Sequence, residues 1–225
     1  MYKYIGLVDL GIIAGVMFAP ACISSIRMSK LRPVNDDASS EFSGTENIYA
    51  LVIQGFQLSI AMLYMYFRGF DPLGFQILLS FKSIVAGIII FCALGLYMDF
   101  AISIKEGFGW IPKILKNNIP LISSFEDVDL SLVLFSILNG FYEEFFFLFI
   151  CNLVVPQHRL IVLVISIIIR IIIHTYQGKY IAITMSLGMG ITYILMYAFI
   201  TDNLFIYLFS HLLADILGLS LFNLL

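Results

Sequence analysis

Residues 130–155 read LSLVLFSILNGFYEEFFFLFICNLVV, an apolar run that carries two adjacent carboxylates, Glu143 and Glu144, near its middle. About 20 apolar residues suffice for a helix to cross a bilayer, so this stretch has the length of a membrane span. A charged side chain near the centre of such a helix costs about 2.5–3.5 kcal/mol on insertion scales. The glutamate pair therefore marks a site that faces protein or a watery cavity, and it needs partners from other spans. Adjacent helical residues point about 100° apart, so the two glutamates cannot serve one target equally. One is expected to react and the other to support it.

The rest of the chain has the same character. Its 225 residues are 61% hydrophobic and 12% charged, with a mean hydropathy of +1.01. That composition lies outside the range of a water-soluble domain. The apolar runs lack the period-two alternation of barrel strands, and in lipid only helices or closed barrels satisfy every backbone polar group. The sequence thus predicts an all-α, polytopic transmembrane bundle of about seven spans. These are Tyr4–Ile26, Ile48–Phe67, Phe75–Tyr97 with an extension toward Ile104, Leu130–Val155, Leu160–Tyr176, Tyr180–Ile200 and Leu204–Phe222.

The first stretch is too long for the apolar part of a signal peptide and contains Asp9, so it reads as a retained span. The connection Arg27–Asn47 is polar, and Lys105–Asp129 has the look of an interfacial helix broken by Pro112 and Pro120. Arg27, Lys30, Arg32, Lys105, Lys113, Lys116 and Lys179 fall in odd-numbered connections, against Lys3, Arg68 and Arg159 on the other face. The positive-inside rule then puts the odd connections in the cytoplasm. No repeat divides the chain, which reads as one integral membrane domain over residues 1–225, with the first three spans and cytoplasmic loops in 1–129.

A net charge of −3 without a basic cluster excludes a nucleic-acid partner. Cys22, Cys92 and Cys151 sit inside apolar runs without paired spacing, as buried free thiols do.

Two later spans carry candidate partners for the glutamates. Arg170 and His174 stand at i, i+4 spacing near the end of the fifth span, and His211 and Asp215 repeat that spacing in the last. An aspartate beside a histidine can fix its tautomer or hold its charged form. His158, in Pro156-Gln157-His158-Arg159, reads as a solvated turn residue.

The order of these motifs, EE, then His, then H-x-x-x-D on later spans, resembles the CAAX protease and bacteriocin-processing family of intramembrane peptidases, also called Abi or CPBP. The motifs of that family are E-E-x-x-x-R, F-x-x-x-H and H-x-x-x-N/D. The resemblance covers residues 130–222 and implies a peptidase core there. It also implies hydrolysis of a peptide bond in a membrane-associated or secreted precursor, at the plasma membrane of a bacterium. Glu143 would be the general base toward water, assisted by His174, with Glu144 as the second family glutamate. His211 and Asp215 would stabilise the oxyanion.

Two positions depart from the family. Leu148 stands where the arginine is expected and Arg170 where the phenylalanine is expected. On a regular helix the missing arginine would lie beside Glu144, and Arg170 is the residue expected to replace its charge from the neighbouring span. The implied chemistry needs no cofactor, although two histidines and a glutamate also have the makings of a zinc site. The same groups admit an ion- or proton-coupled carrier, or a noncatalytic scaffold or immunity protein. One difficulty is depth. Glu143 lies about 20 Å of helix from the inner end of its span, whereas His174 is near the inner end of the next.

Overall fold

The computed structural model describes residues 4–31, 44–106 and 130–218. Among them are helices α1 (Leu7–Leu31), α2 (Gly44–Phe67), α3 (Phe81–Glu106), α4 (Leu130–Glu144), α5 (Arg159–Ile173), α6 (Lys179–Phe199) and α7 (Leu204–Leu217). The only strand-like pairings among these residues are two isolated bridges. Six of the helical segments are long and apolar enough to cross a membrane, and α7 is a shorter apolar helix. The protein is a multi-pass membrane helical bundle. Its outer surface is apolar: Val8, Phe67, Phe81, Leu160 and Phe199 are 73–82% exposed, as side chains facing acyl chains should be.

Several helix ends differ from the hydropathy reading. α1 runs on past Ile26 to Leu31. α3 begins at Phe81 rather than Phe75, because the chain before it has other bonds to make. The Asn203 side chain accepts from the Leu78 N–H at 2.8 Å and donates to the Leu78 carbonyl at 2.9 Å. Asn203 also caps α7 by accepting from the Phe205 N–H. Ser80 and Ser83 cap the start of α3 reciprocally, each hydroxyl accepting from the other's backbone N–H. The expected interfacial helix before Asp129 and most of the polar connection after α1 lie outside the described residues.

The fourth span is not one regular helix. At Phe145 it widens into a π-helix through Ile150, closed by the Cys151 N–H bonding the Phe146 carbonyl. The wider turn loosens the carbonyl ladder, and the Asn152 amide donates to the Leu148 carbonyl at 2.7 Å. Phe145, Phe146 and Phe147 are all buried. Phe18 of α1 packs edge-on against Tyr142 and Phe146 and stacks on Phe147, while Phe75 packs edge-on against Phe141, Phe145 and Phe149. Near Pro20, whose ring interrupts the α1 ladder, the Met17 carbonyl accepts from the Tyr142 hydroxyl. A second apolar cluster joins Leu148 to Met189, Tyr193 and Tyr207.

Glycine sets the close crossing of α7 on α3. A methyl at Gly87 on α3 would stand 2.9 Å from Phe209 Cδ1 and 3.1 Å from the Ile206 carbonyl oxygen, whereas at Gly140 on α4 its nearest neighbours are 3.6 Å away. Both changes to alanine bring the same gain in helix propensity, so their difference isolates the overpacking. Gly87→Ala is expected to cost about 1–3 kcal/mol relative to Gly140→Ala. Unfolding titrations of the two variants in detergent check this.

The depth difficulty resolves in the connection between α5 and α6. α5 stops at Ile173, and one 3-10 turn, Thr175–Gln177, with Gly178 at φ 103°, leads directly into α6. α4 and α2 continue past that turn together, tied by Asn47 donating to Ser131 at 3.3 Å. The turn is covered by α1: the Ser25 hydroxyl bonds Thr175 Oγ1 at 3.0 Å and accepts from the Tyr176 N–H at 3.1 Å. His174 therefore lies alongside Glu143, about 20 Å along α4 from Leu130.

Candidate functional site

Glu144 is fully buried and binds two cations from two other helices. Arg170 of α5 grips it as a fork, Nη1 to Oε1 at 3.0 Å and Nη2 to Oε2 at 2.9 Å. His211 of α7 donates from Nδ1 to Oε1 at 2.8 Å. The guanidinium also lies over the Phe147 ring, 4.2 Å from its centroid. Bidentate, charge-assisted bonds and a ring face compensate the desolvation of a guanidinium that is only 2% exposed.

The arginine therefore comes from the neighbouring helix. Leu148, the position where a regular helix would place it, lies inside the π-turn. There the i→i+5 pattern carries residue i+4 off the face of residue i, and Leu148 packs into the apolar cluster instead.

Glu143 has a different environment. Its Oε2 is buried without a hydrogen-bond partner among the described residues. The nearest basic groups stand beyond hydrogen-bond reach, Arg170 Nη1 at 3.8 Å and His174 Nε2 at 3.9 Å. The helical rotation between adjacent residues thus separates a saturated carboxylate from an unsaturated one.

His174 caps the end of α5, and its Nδ1 lies 2.7 Å from the Arg170 carbonyl oxygen. A carbonyl only accepts, so Nδ1 carries a hydrogen, and in the neutral ring Nε2 presents its lone pair toward Glu143.

His211 Nε2 faces Asp215 Oδ1 at 3.6 Å. Carboxylates beside both ring nitrogens favour the charged ring, with Nδ1 bonded to Glu144 and Nε2 short of a bond to Asp215. Asp215 in turn accepts from Asn139 Nδ2 at 3.1 Å, and Asn139 Oδ1 accepts from Gln54 Nε2 at 2.8 Å. The structure thus brings Glu143, Glu144, Arg170, His174, His211 and Asp215 into one cluster. His158 lies apart, in the turn before α5, and is half-buried rather than fully solvated. All three cysteines are free.

The sequence reading passed over Asn139 and Gln54. Their signal is faint but real: each is an amide inside an apolar span, and Asn139 stands one turn before Glu143.

Glu143, Glu144 and His211 bring potential metal-ligand atoms within 4.8 Å of one another. The donor set does not suit a dication. Both Glu144 oxygens already bind a guanidinium, and both nitrogens of His211 face carboxylates.

No family model, no curated protein and no solved structure matches this chain.

Proposed function

We propose that the protein is a metal-free intramembrane peptidase, of the kind its glutamate and histidine motifs resemble, acting on a membrane-associated or secreted peptide precursor at a bacterial plasma membrane. The observation that carries this reading is Glu143 itself, with Oε2 buried and unpartnered among the described residues and Oε1 facing the lone pair of His174 Nε2. Two acceptors 3.9 Å apart suit a single water that donates one hydrogen to each, at about 2.8 Å per bond.

Such a water is poised for attack. Its oxygen adds to the scissile carbonyl, its proton passes to Glu143, and the carbonyl oxygen becomes an oxyanion. On collapse the C–N bond breaks and Glu143 returns that proton to the departing amine, leaving a carboxylic acid and an amine, which then transfer a proton to become carboxylate and ammonium fragments. Glu144 stays bonded throughout, and its role is to hold Arg170 and His211 in place.

The test compares cells of the native host carrying the wild type or Glu143→Ala, with membrane and secreted peptides read by mass spectrometry. Fragments that vanish in the variant at equal protein level support a peptidase and name its substrate. Identical profiles overturn the reading; ion flux in liposomes would then favour a carrier, and partner capture without Glu143 and Glu144 a scaffold. Cleavage is expected to survive excess EDTA and 1,10-phenanthroline, since no ligand set free of competing partners is present in the cluster. Loss of activity to chelators, restored by zinc, would contradict the metal-free mechanism.

A further inference from the structure

We propose that Asn139 is a further catalytic residue, the neutral N–H donor to the oxyanion; this rests on the peptidase reading above. Peptide hydrolysis develops negative charge on the carbonyl oxygen, and a donor preorganised at that point is usually the largest electrostatic contribution to the rate. The charged groups of the cluster are poorly placed to provide it. His211 is committed through Nδ1 to Glu144 at 2.8 Å, and its Nε2, 3.6 Å from Asp215 Oδ1 and so beyond hydrogen-bond distance, is drawn toward that carboxylate. Asp215 is held at Oδ2 as an acceptor by Asn139. Arg170 is clamped on Glu144 and covered by Phe147.

Asn139 is different. Its amide nitrogen carries two hydrogens, one engaged by Asp215 Oδ2 at 3.1 Å and the second without an acceptor among the described residues. The orientation of the amide is set from both sides, since the carboxylate requires the nitrogen and the Gln54 N–H requires the oxygen. Asn139 stands one turn before Glu143 on the same face of α4, so donor and base project toward one region. α7 packs on α4 at ordinary contact here, 3.6 Å from His211 Cβ to where a methyl on the adjacent Gly140 would stand, and Asp215, one turn beyond His211, reaches Asn139.

The experiment uses the full-length protein in proteoliposomes and the peptide identified by the Glu143 comparison. Asn139→Ala is expected to lower kcat by about 10²- to 10³-fold with KM little changed, because an oxyanion donor acts in the transition state. An Asn139→Ala/Asp215→Asn double variant is expected to regain part of that kcat, because it restores a neutral amide donor beside the vacated position. Near-wild-type kcat in Asn139→Ala would overturn the proposal. So would a double variant no faster than the single one at unchanged unfolding midpoint, which would make Asn139 only a support for Asp215. If the wild type itself yields no Glu143-dependent product, the peptidase reading fails first and the role of Asn139 falls with it. That outcome is recognisable before any Asn139 variant is made.

Discussion

Glu143→Gln is expected to abolish cleavage while leaving the fold as stable as the wild type, or more so. The amide cannot accept the proton of the attacking water, and loss of a general base typically costs about 10²- to 10⁴-fold in rate. The fold should not suffer, because no cation lies within hydrogen-bond distance of this carboxylate and one of its oxygens is buried without a partner. Neutralising it removes a desolvated charge whose compensation is a cation it does not bond, Arg170, already clamped on Glu144. Glu144→Gln is expected to do the reverse in kind. It strips the fork and the histidine bond from a fully buried group and leaves Arg170 and His211 charged without their partner. Cleavage rates and detergent unfolding measured on both variants check this. A destabilised Glu143→Gln together with a stable Glu144→Gln would reverse the assignment of the two glutamates.

Arg170→Leu is expected to destabilise the bundle by about 3–5 kcal/mol, the usual consequence of removing one partner of a buried ion pair. Glu144 would keep a single cation, at His211, and lose both bonds of the fork. Arg170→Lys should recover only part of the loss, since an ammonium supplies the charge but not the planar fork or the contact with the Phe147 ring. An Arg170→Leu/Glu144→Leu double variant should be more stable than Arg170→Leu alone, because apolar replacement of a whole buried pair is often neutral. Unfolding midpoints of the four proteins test the chain of reasoning. If Arg170→Leu matches the wild type, the ion pair is not what holds α4 against α5.

Much of this was legible in the sequence, for reasons that differ from group to group. The bundle followed from apolar runs of membrane length. The cluster was visible because an ionisable side chain inside a span is costly and must meet a partner, so Glu143, Glu144, Arg170, His211 and Asp215 pointed to one another. Long-range caps left no such mark. Asn203 ties Phe75–Ser80 away from α3, and nothing in the apolar run before Phe81 signals it. The π-turn was equally silent, since hydropathy is blind to whether a carbonyl bonds four or five residues ahead. Asn139 was passed over because an uncharged amide costs less in a membrane than a carboxylate and so attracts less notice.

The π-turn has a consequence for register. A π-turn holds one residue more than the α-helical turn it replaces. Deleting one residue between Phe145 and Ile150 would rotate everything beyond it by about 100° against the glutamates. The six-residue segment thus works as a clutch within one span. On one side the register of the carboxylates is fixed by Arg170 and His211; on the other, Val154 pairs with Ile5 of the N-terminal segment. The carboxylates and Val154 are thus anchored separately, and the π-turn sets the rotation between them.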